Sequence, residues 1–523
     1  MKSDSDSARS FFEGGASSIP PQNLLRRVLA THVGDNSSIF QIILWPFAGF
    51  LAATVLLFTL SLPQKYDYPL ALGLIATPLF FIFRNKEKLL TGAFVLSLPI
   101  SMGFMLMDRE ESTNSVVKLT VKLYLCDFFL ILLVITWLFK VVISKYDSKH
   151  SIWRNKLSIP LSLWIGMGII SYFPAIDKTA AVVGIIRMIR IFLTFFVIFL
   201  YARERKDIHF ILNCLLLGLL LQSLIMFAQY ATNSLFISLP GGPEKLDLVG
   251  ELQRPNGTMG HSSNFAKFSG LILPIALAYV FFTQKLRNRF YMFTIWVCGS
   301  IALILTISRA GILTWLFSVI IFFVGIIILR IVPLRRSLPF LMIFILLVIF
   351  SAGILFTIGG ERFESRIKGD EGSYAVRIPM WKVAINVIKA HPITGVGLNN
   401  YTLVHQRYDH TYEHISLTFP APVHNLFLLY AAETGIPSLI FFLWFISEMV
   451  KGALRCISLF DTSLDKAIYF CIIIGVISIF LQSITGMGVA NHLIHLSVVA
   501  ILAACIAKQY SALTDHQRNA SPV

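Results

Sequence analysis

Apolar blocks of membrane length recur along most of this 523-residue chain and limit its fold class more than any other feature. Each block is roughly 17–27 residues long, the length that a helix needs to cross a bilayer. Charged residues make up 14% of the chain, whereas a soluble globular protein carries about 25%. We therefore predict an all-α polytopic membrane protein with about 12–14 transmembrane helices.

The apolar blocks predict fourteen spans. They are 40–61, 68–83, 89–107, 122–139, 157–173, 180–201, 208–232, 263–283, 290–307, 311–329, 337–357, 424–450, 467–486 and 492–507. The weakest predictions are 68–83 and the pair 290–307 and 311–329, which only Ser308-Arg309-Ala310 separates.

The spans divide the chain into five regions. We expect a cytoplasmic N-terminal tail at 1–39, a transmembrane bundle of about eleven spans at 40–357, a large and partly helical periplasmic loop at 358–423, about three C-terminal spans at 424–507, and a cytoplasmic tail at 508–523.

The net charge of +16 is an orientation signal rather than a sign of nucleic-acid binding. With the N-terminus inside, six inner connections carry 20 Lys and Arg residues, and six short outer connections carry 7. This asymmetry follows the positive-inside rule. The eleven crossings before it then place the loop 358–423 outside the cytoplasm.

Five arginines break this asymmetry, because they lie at or near the outer face. They are Arg187 and Arg190 in the span VVGIIRMIRIFLTFF, Arg254 in RPNGTMGHSSN, Arg309 in ISRAG and Arg377 in the large loop. A guanidinium in hydrocarbon costs roughly 2.5–3.5 kcal/mol, so it usually faces a cavity, a partner or a bound anion. One interpretation is pairing with acids or snorkelling to headgroups. The other is a shared anionic ligand, because the planar arginine fork suits a lipid phosphate or diphosphate.

The pair His424-Asn425 stands where the polar loop meets the apolar run LFLLYAAETGIPSLIFFLWF. A titratable imidazole at the mouth of a membrane segment is a candidate for chemistry at the membrane surface. The alternative is a structural cap at the start of the span. We expect Asn425 to orient the loop rather than to react.

Glu433 lies nine residues beyond His424. On a regular helix this is a rise of about 13.5 Å, and the two side chains face opposite sides. A direct dyad is therefore not expected, although the sequence from Thr434 to Pro437 favours a break in the helix. Glu433 is a buried acid in this interpretation and needs a partner, such as one of the arginines.

Residues 373–390 of the large loop predict a helix, because their apolar residues recur at helical spacing. His405, His410 and His414 follow, and the spacing of the last two raises a zinc site as an alternative. No acid or cysteine stands at a convincing fourth position, so solvated or aromatic-packed histidines are favoured.

Four stretches together resemble the O-antigen ligase/polymerase superfamily of bacterial envelope glycosyltransferases, over roughly 254–440. RPNGTMGHSSN resembles the Arg-x-x-Gly…Asn element of the family, with Asn264 at its end, and ISRAG resembles the Ser-Arg junction. SYAVRIPMWKVAINVIKAHPITGVGLNNY resembles the opening of the large periplasmic loop, with Arg377, Trp381, Pro392, Gly395 and Gly397 in place. HNLFLLYAAETGIPS resembles the ligase signature.

Three features depart from the pattern of the ligases. Ser438 stands where the signature usually closes with Gly, Thr or Tyr, and Ser262-Ser263 stand where a proline commonly precedes the asparagine. The chain also has more predicted spans than the twelve that are usual for ligases. These departures concern the assignment to ligases and not the assignment to the superfamily.

The resemblance implies a GT-C-like fold in the bacterial inner membrane, with an active site that faces the periplasm. It implies transfer of a glycan from undecaprenyl diphosphate to a glycan or lipid A–core acceptor, without a metal, a nucleotide sugar or another cofactor. His424 would be the general base of an inverting attack, and Arg254 and Arg309 would be the main diphosphate ligands. Arg187 and Arg190 would assist them, while Arg377, Asn425, Glu433 and Asn264 would support the site.

Three functions remain open from the sequence. A ligase joins a finished lipid-linked polysaccharide to an acceptor, and a polymerase extends one lipid-linked glycan with another. The His-Asn signature favours the ligase. A lipid-glycan flippase or another transporter would need ionisable groups on both leaflets, whereas the unusual charges here concentrate at one face.

Overall fold

A computed structural model describes residues 85–101, 103–109, 119–143, 155–235, 246–249, 252–331, 335, 342, 371–484 and 493–520. The side chains of 104–109, 119–121, 139–143, 247–249, 252, 371–375, 493 and 515–520 are not part of that description. All described residues belong to one compact unit, Arg84–Val523. The predicted spans 40–61 and 68–83 lie outside the described residues, as does 337–357 apart from Met342, and so do the N-terminal tail and residues 358–370.

Helices make up most of the described chain. They are α1 (Lys86–Ser97), α2 (Leu125–Ile143), α3 (Ser158–Ile170), α4 (Lys178–Tyr201), α5 (Arg205–Thr232), α6 (Ser262–Phe282), α7 (Leu286–Leu305), α8 (Arg309–Ile328), α9 (Glu371–Ala390), α10 (Tyr401–Val404), α11 (Ile415–Thr418), α12 (Leu426–Thr434), α13 (Ile436–Leu459), α14 (Ser463–Ile484) and α15 (Leu493–Ala520).

Seven of the described helices are long and apolar enough to cross a membrane. They lie at 178–201, 205–232, 262–282, 286–305, 309–328, 463–484 and 494–514. Each coincides with a predicted span, and the fold class is confirmed as an all-α polytopic membrane protein. The predicted spans 122–139 and 157–173 form shorter apolar helices, Leu125–Leu138 and Ser158–Ile170.

The prediction of one continuous span at 89–107 is wrong. The helix α1 ends at Ser97, and a β-strand begins at Gly103. Pro99 has no backbone N–H with which to continue the helical hydrogen bonds, and α1 ends two residues before it. Its carbonyl oxygen instead accepts a hydrogen bond from the Gln222 amide over 3.2 Å. Apolar composition alone did not reveal this change of structure.

Two small antiparallel sheets accompany the helices in the described part of the chain. In the first, β1 (Gly103–Arg109) pairs with β2 (Leu119–Tyr124), with Gly103 opposite Tyr124 and a register shift between Met105 and Met107. In the second, β3 (Asp247–Val249) pairs with β4 (Leu252–Arg254), with Asp247 opposite Arg254. Each sheet leads into a helix, β2 directly into α2 and β4 through a short loop into α6.

The helix α6 is the most enclosed of the membrane-length helices in the described structure. In its apolar 18-residue stretch, about 83% of the residues are buried, against 39% in the corresponding stretch of α7. Glycines let its neighbours approach closely: a Cβ on Gly475 of α14 would lie 2.5 Å from the Leu271 carbonyl oxygen. A Cβ on Gly311 of α8 would lie 2.9 Å from the Ala266 side chain. Small residues at such contacts are typical of helix packing in membranes.

The predicted span 424–450 is broken into two helices. The helix α12 ends at Thr434, and α13 begins at Ile436, with Gly435 between them at φ +88°. Pro437 lies in the first turn of α13, where its missing N–H leaves no vacant hydrogen bond. Gly435, with its positive φ, therefore ends α12. Pro437, two residues later, lies in the first turn of α13.

Candidate active site

Arg254 and Arg309, which lie far apart in the sequence, meet at the junction between α7 and α8. The Arg254 side chain is buried, and its Nε donates to the Thr306 carbonyl oxygen over 2.6 Å. Thr306 caps the C-terminus of α7, and Ser308 caps the N-terminus of α8, which begins at Arg309. The hydrogen bond therefore brings the Arg254 loop to the turn that carries Arg309.

Two glutamines of α5 shape the loop that follows Arg254. The Gln229 side-chain oxygen accepts from the N–H groups of Asn256 and Gly257 over 3.1 and 2.9 Å, and its amide donates to the Gly257 carbonyl over 2.8 Å. Gln222 holds Thr258 in the same manner, over 2.9 and 2.7 Å. Neither glutamine was among the residues singled out from the sequence. Their spacing of seven in the largely apolar second half of α5, which places them on one face, was the available signal.

Asn264 closes this loop in the first turn of α6. Its side-chain amide donates to the Met259 carbonyl oxygen over 2.9 Å. Its own carbonyl oxygen lies 2.8 Å from Nε2 of the buried His495 on α15. The residue therefore fixes the entry of α6 and does not itself point a reactive group at His424.

His424 directly precedes the N-cap of α12. The Asn425 side-chain oxygen accepts from the backbone N–H groups of Phe427 and Leu428 over 3.0 and 3.2 Å. This arrangement is an N-cap, which satisfies donors that the first helical turn leaves unpaired. The expectation that Asn425 orients the loop agrees with this geometry, and the cap fixes where His424 enters the site.

Two basic residues of the described structure, Arg377 and Lys267, act electrostatically on His424. Arg377 lies on α9, and Lys267 lies on α6 with only 4% of its surface exposed. Burial lowers the pKa of the His424 imidazole to about 4, with Arg377 and then Lys267 acting in the same direction. A cation nearby disfavours the protonated ring, so His424 is a neutral proton acceptor at physiological pH.

Lys267 was missed in the sequence because it stands inside a strongly predicted span. A lysine in an apolar segment was itself the signal, since an ionisable residue at membrane depth is a functional hypothesis by default. Ala266, its neighbour, contacts Gly311 near the start of α8. The first turns of α6 therefore connect the junction of Arg254 and Arg309 with the position of His424.

Glu433 lies at the opposite end of α12 from His424 and is buried. The backbone N–H groups of Asn399 and Tyr401 donate to its carboxyl group, and Arg187 is the arginine that acts on it. A helix of this length spans about 13 Å. The structure thus keeps Glu433 and Arg187 together at one end of α12 and His424 at the other.

Arg190 forms a buried ion pair with Asp127 on α2. Its Nε lies 2.7 Å from an Asp127 carboxylate oxygen, and its guanidinium also reaches the Cys126 sulfur at 2.9 Å. This is the pairing with a nearby acid that the sequence left open. Arg190 is therefore engaged with Asp127, Arg187 acts on Glu433, and Arg254 is bonded at the turn that carries Arg309.

A groove of about 350 Å³ lies between α2 and α4. Most of its lining is apolar, and Lys122, Tyr124, Asp127, Arg187 and Arg190 form its polar part. Pockets of this size, mainly apolar with a few polar groups, are typical of small-molecule sites.

The histidines of the large loop have structural surroundings. His405 is buried and packs on Tyr401 with ring centroids 5.5 Å apart, whereas His410 and His414 are exposed. Within the described ranges, no three His, Cys, Asp or Glu side chains come together as a metal site. Aromatic packing and solvation, the interpretation favoured from the sequence, therefore describe these residues.

The described structure is that of a polytopic membrane protein in which a half-buried histidine, His424, directly precedes the N-cap of α12. Residues 293–443 match the family described as O-antigen ligase. The matched segment contains Arg309, Arg377, His424 and Glu433, and Arg254 and Lys267 precede it. No curated protein matches the chain.

The match covers part of the region that carries the four sequence motifs, and it agrees with the resemblance to the O-antigen ligase/polymerase superfamily that those motifs suggested.

Proposed function

We propose that this protein is an inner-membrane glycosyltransferase that moves a glycan from undecaprenyl diphosphate to an acceptor at the periplasmic face. The observation that carries the proposal is the position of His424, which is half-buried directly before the Asn425 cap of α12, inside the segment that matches the O-antigen ligase family, with Arg377 and Lys267 as basic residues that act on it. An unprotonated imidazole is suited to accept a proton. Basic residues that act on it suit an anionic leaving group.

The reaction is a one-step inverting displacement. The acceptor hydroxyl oxygen attacks the anomeric carbon of the donor sugar while His424 takes the hydroxyl proton. The bond from that carbon to the phosphate oxygen breaks, and the undecaprenyl diphosphate leaves with the electron pair. Arg254 and Arg309 stabilise its charge, so that arginines take the place of a divalent cation and the reaction needs no metal.

The groove between α2 and α4 supports a lipid carrier. Its apolar lining suits a polyprenyl chain, and Arg187 at its polar part suits an anionic head group. Arg190 is neutralised by Asp127, so its role in this proposal is to fix the wall of the groove beside Arg187. The outer-face position of the site rests on the connections that follow α4. Of these, the four inner ones at 202–207, 284–289, 330–336 and 451–466 carry 12 Lys and Arg residues, and the three short outer ones at 233–262, 308–310 and 487–491 carry 3.

The acceptor distinguishes a ligase from a polymerase. The proposal is O-antigen ligase activity in cell-surface polysaccharide assembly, because the His-Asn signature and the description of the matched family agree on it. A ligase transfers to lipid A–core, whereas a polymerase transfers to a second lipid-linked glycan.

The test is transfer by purified protein from a lipid-diphosphate glycan to each of the two acceptors, with the product followed on a gel. His424→Ala is expected to abolish transfer, while His410→Ala, a matched change at an exposed loop histidine, leaves it intact. Arg254→Ala and Arg309→Ala are expected to weaken donor binding. Transfer at the wild-type rate by His424→Ala would refute the general-base role.

A further inference from the structure

Gln222 and Gln229 are buried polar residues that the proposed reaction does not use directly. Both lie on α5, and only 2% and 0% of their surfaces are exposed. Burying a side-chain amide is unfavourable unless its hydrogen bonds are made. Both amides meet this condition mainly on one partner, the loop that follows Arg254.

Gln229 is bonded to the main chain at Asn256 and Gly257. Its oxygen accepts from both N–H groups, over 3.1 and 2.9 Å, and its amide donates to the Gly257 carbonyl oxygen over 2.8 Å. The same amide also donates to the Leu235 carbonyl oxygen over 3.1 Å. A side-chain amide that both accepts from and donates to one main-chain segment fixes the orientation of that segment as well as its distance.

Gln222 repeats this arrangement two turns earlier on α5. Its oxygen accepts from the Thr258 N–H over 2.9 Å, and its amide donates to the Thr258 hydroxyl over 2.7 Å and to the Pro99 carbonyl oxygen over 3.2 Å. Gly257 permits the close approach, because its φ is +60° and a Cβ there would lie 2.4 Å from the Gln222 oxygen. The loop is thus held from α5 and also from the segment that follows α1.

Every main-chain polar group of residues 256–258 is engaged. The three N–H groups donate to the two glutamine side chains. The Asn256 carbonyl oxygen accepts from the Met259 N–H over 3.2 Å, and the Thr258 carbonyl oxygen accepts from the Ser101 N–H over 3.0 Å. The remaining carbonyl, that of Gly257, accepts from the amide of α5 described above. The main chain therefore cannot rotate here without breaking hydrogen bonds.

Pro255 connects this fixed segment to Arg254. The proline ring fixes its own φ and confines the residue before it to extended geometry, and Arg254 accordingly ends β4. The Arg254 Nε then donates to the Thr306 carbonyl oxygen over 2.6 Å, at the turn before Arg309. A fixed main chain at 256–258 therefore limits where the Arg254 guanidinium can lie.

We infer that Gln222 and Gln229 are positioning residues for donor binding, which hold Arg254 in the orientation in which it takes up the donor diphosphate. This inference rests on the proposed function. The glutamines act through Arg254 and not by contact with the donor. A guanidinium binds a phosphate through two parallel hydrogen bonds and therefore needs a defined plane. Supporting hydrogen bonds of this kind hold a binding group within about 0.5 Å of its productive position.

Titrations of the donor and of the lipid A–core acceptor test this inference on the full-length protein. Gln229→Leu removes the hydrogen bonds and keeps a side chain of similar size. We expect the KM for the undecaprenyl-diphosphate glycan to rise about tenfold and the KM for the acceptor to change by less than about twofold, because a small displacement of a binding group is costly. Loss of folded protein lowers the maximal rate and moves neither KM, so a merely structural role would not produce this split.

Two further variants act on the same connection. Gln222→Leu should produce the same split. Pro255→Ala keeps the hydrogen bonds of both glutamines and loosens only their link to Arg254, so it should raise the donor KM to a smaller extent. Gln509→Leu is the matched control, because it makes the same change at a buried glutamine of α15, and it should move neither KM.

A double-variant cycle shows whether the glutamines act through Arg254. In an Arg254→Ala background, Gln229→Leu should change the donor KM by less than about twofold, because the residue that it positions is gone. A wild-type donor KM in the glutamine and Pro255 variants would overturn the inference, as would the same loss with and without Arg254. A wild-type donor KM in Arg254→Ala alone is a distinct outcome, which would refute the diphosphate role in the proposed function and the inference with it.

Discussion

The Gly397 N–H donates to the Glu433 carbonyl oxygen over 2.9 Å. This hydrogen bond joins the large loop to the end of α12, next to the break between α12 and α13. Two more main-chain bonds flank it, from the Val396 N–H to the Ala432 carbonyl over 3.0 Å and from the Ile436 N–H to the Pro392 carbonyl over 2.8 Å. Together they form a main-chain joint, which attaches the loop to the bundle where the helix is interrupted.

Replacing Gly395 or Gly435 with alanine should destabilise the protein. Both residues have positive φ, and a Cβ on either would collide with backbone atoms of the other side of the joint. Backbone strain of this kind costs about 1–3 kcal/mol at each position, before the collision is counted. Thermal unfolding followed by tryptophan fluorescence measures the effect. Gly166→Ala is the control, because a Cβ there has open space; equal midpoints for all three variants would contradict the prediction.

Loss of the Asn425 cap should reduce both stability and transfer. Asn425→Ala leaves the N–H groups of Phe427 and Leu428 without their side-chain acceptor, which costs about 1 kcal/mol. The backbone at His424 is then no longer held at the start of α12. We therefore expect kcat to fall by more than the loss of folded protein accounts for. Asn425→Asp keeps the acceptor and should retain the stability of the wild type. A fully active Asn425→Ala protein would show that the cap does not position His424.

The ion pair of Arg190 and Asp127 should be strongly coupled in a double-mutant cycle. Both side chains are largely buried, and removing one partner leaves a charge without compensation, at a cost of about 3–5 kcal/mol. Arg190→Gln and Asp127→Asn should each lower the unfolding midpoint markedly, and the double variant should lose less than their sum. The control is Lys451→Gln, which removes an exposed partner of Glu448 and should cost under about 1 kcal/mol. Additive losses would refute the coupling.

Asp409 should hold the turn of the large loop in a pH-dependent manner. Burial raises the pKa of its carboxyl group, but hydrogen bonds from Thr411 and Ser416 together outweigh burial and lower it to about 2. Because the pKa is depressed in the folded protein, the ionised carboxylate stabilises the loop at pH values above the ordinary carboxyl pKa. This stabilisation is lost as the pH falls through about 2.

Hydrogen exchange at the Thr411 and Ser416 amides measures this contribution. Protection should persist in mildly acidic solution, and Asp409→Asn should weaken it at neutral pH. Glu413→Gln removes a charge from an exposed neighbour and should leave it unchanged. Equal protection in wild type and Asp409→Asn would show that the carboxylate does not hold the turn.

Features that depend on local sequence were predictable. The helix over 371–390, the break near Gly435 and the orienting role of Asn425 follow from periodicity, glycine and proline placement and capping chemistry. Each arises from residues within one or two turns of one another, so the pattern contains the necessary information.

Features that depend on distant contacts were not predictable. Nothing local to Lys267 indicates that it acts on His424, since one stands on α6 and the other enters α12. The pairing of Arg190 with Asp127 also depends on how the helices α2 and α4 pack. Counting charges at one face identified these arginines but left open whether they pair with acids or share an anionic ligand.

The main-chain joint determines which positions of the loop tolerate substitution during evolution. Its hydrogen bonds connect peptide groups, so they persist whichever side chains occupy most of the loop between Pro392 and Asn400. The glycines are restricted because their backbone geometry and close approach exclude a Cβ, and the buried Val396, Leu398 and Asn400 are restricted by packing. Exposed positions such as Ile393 are therefore free to diverge, while the anchorage of the loop stays constant.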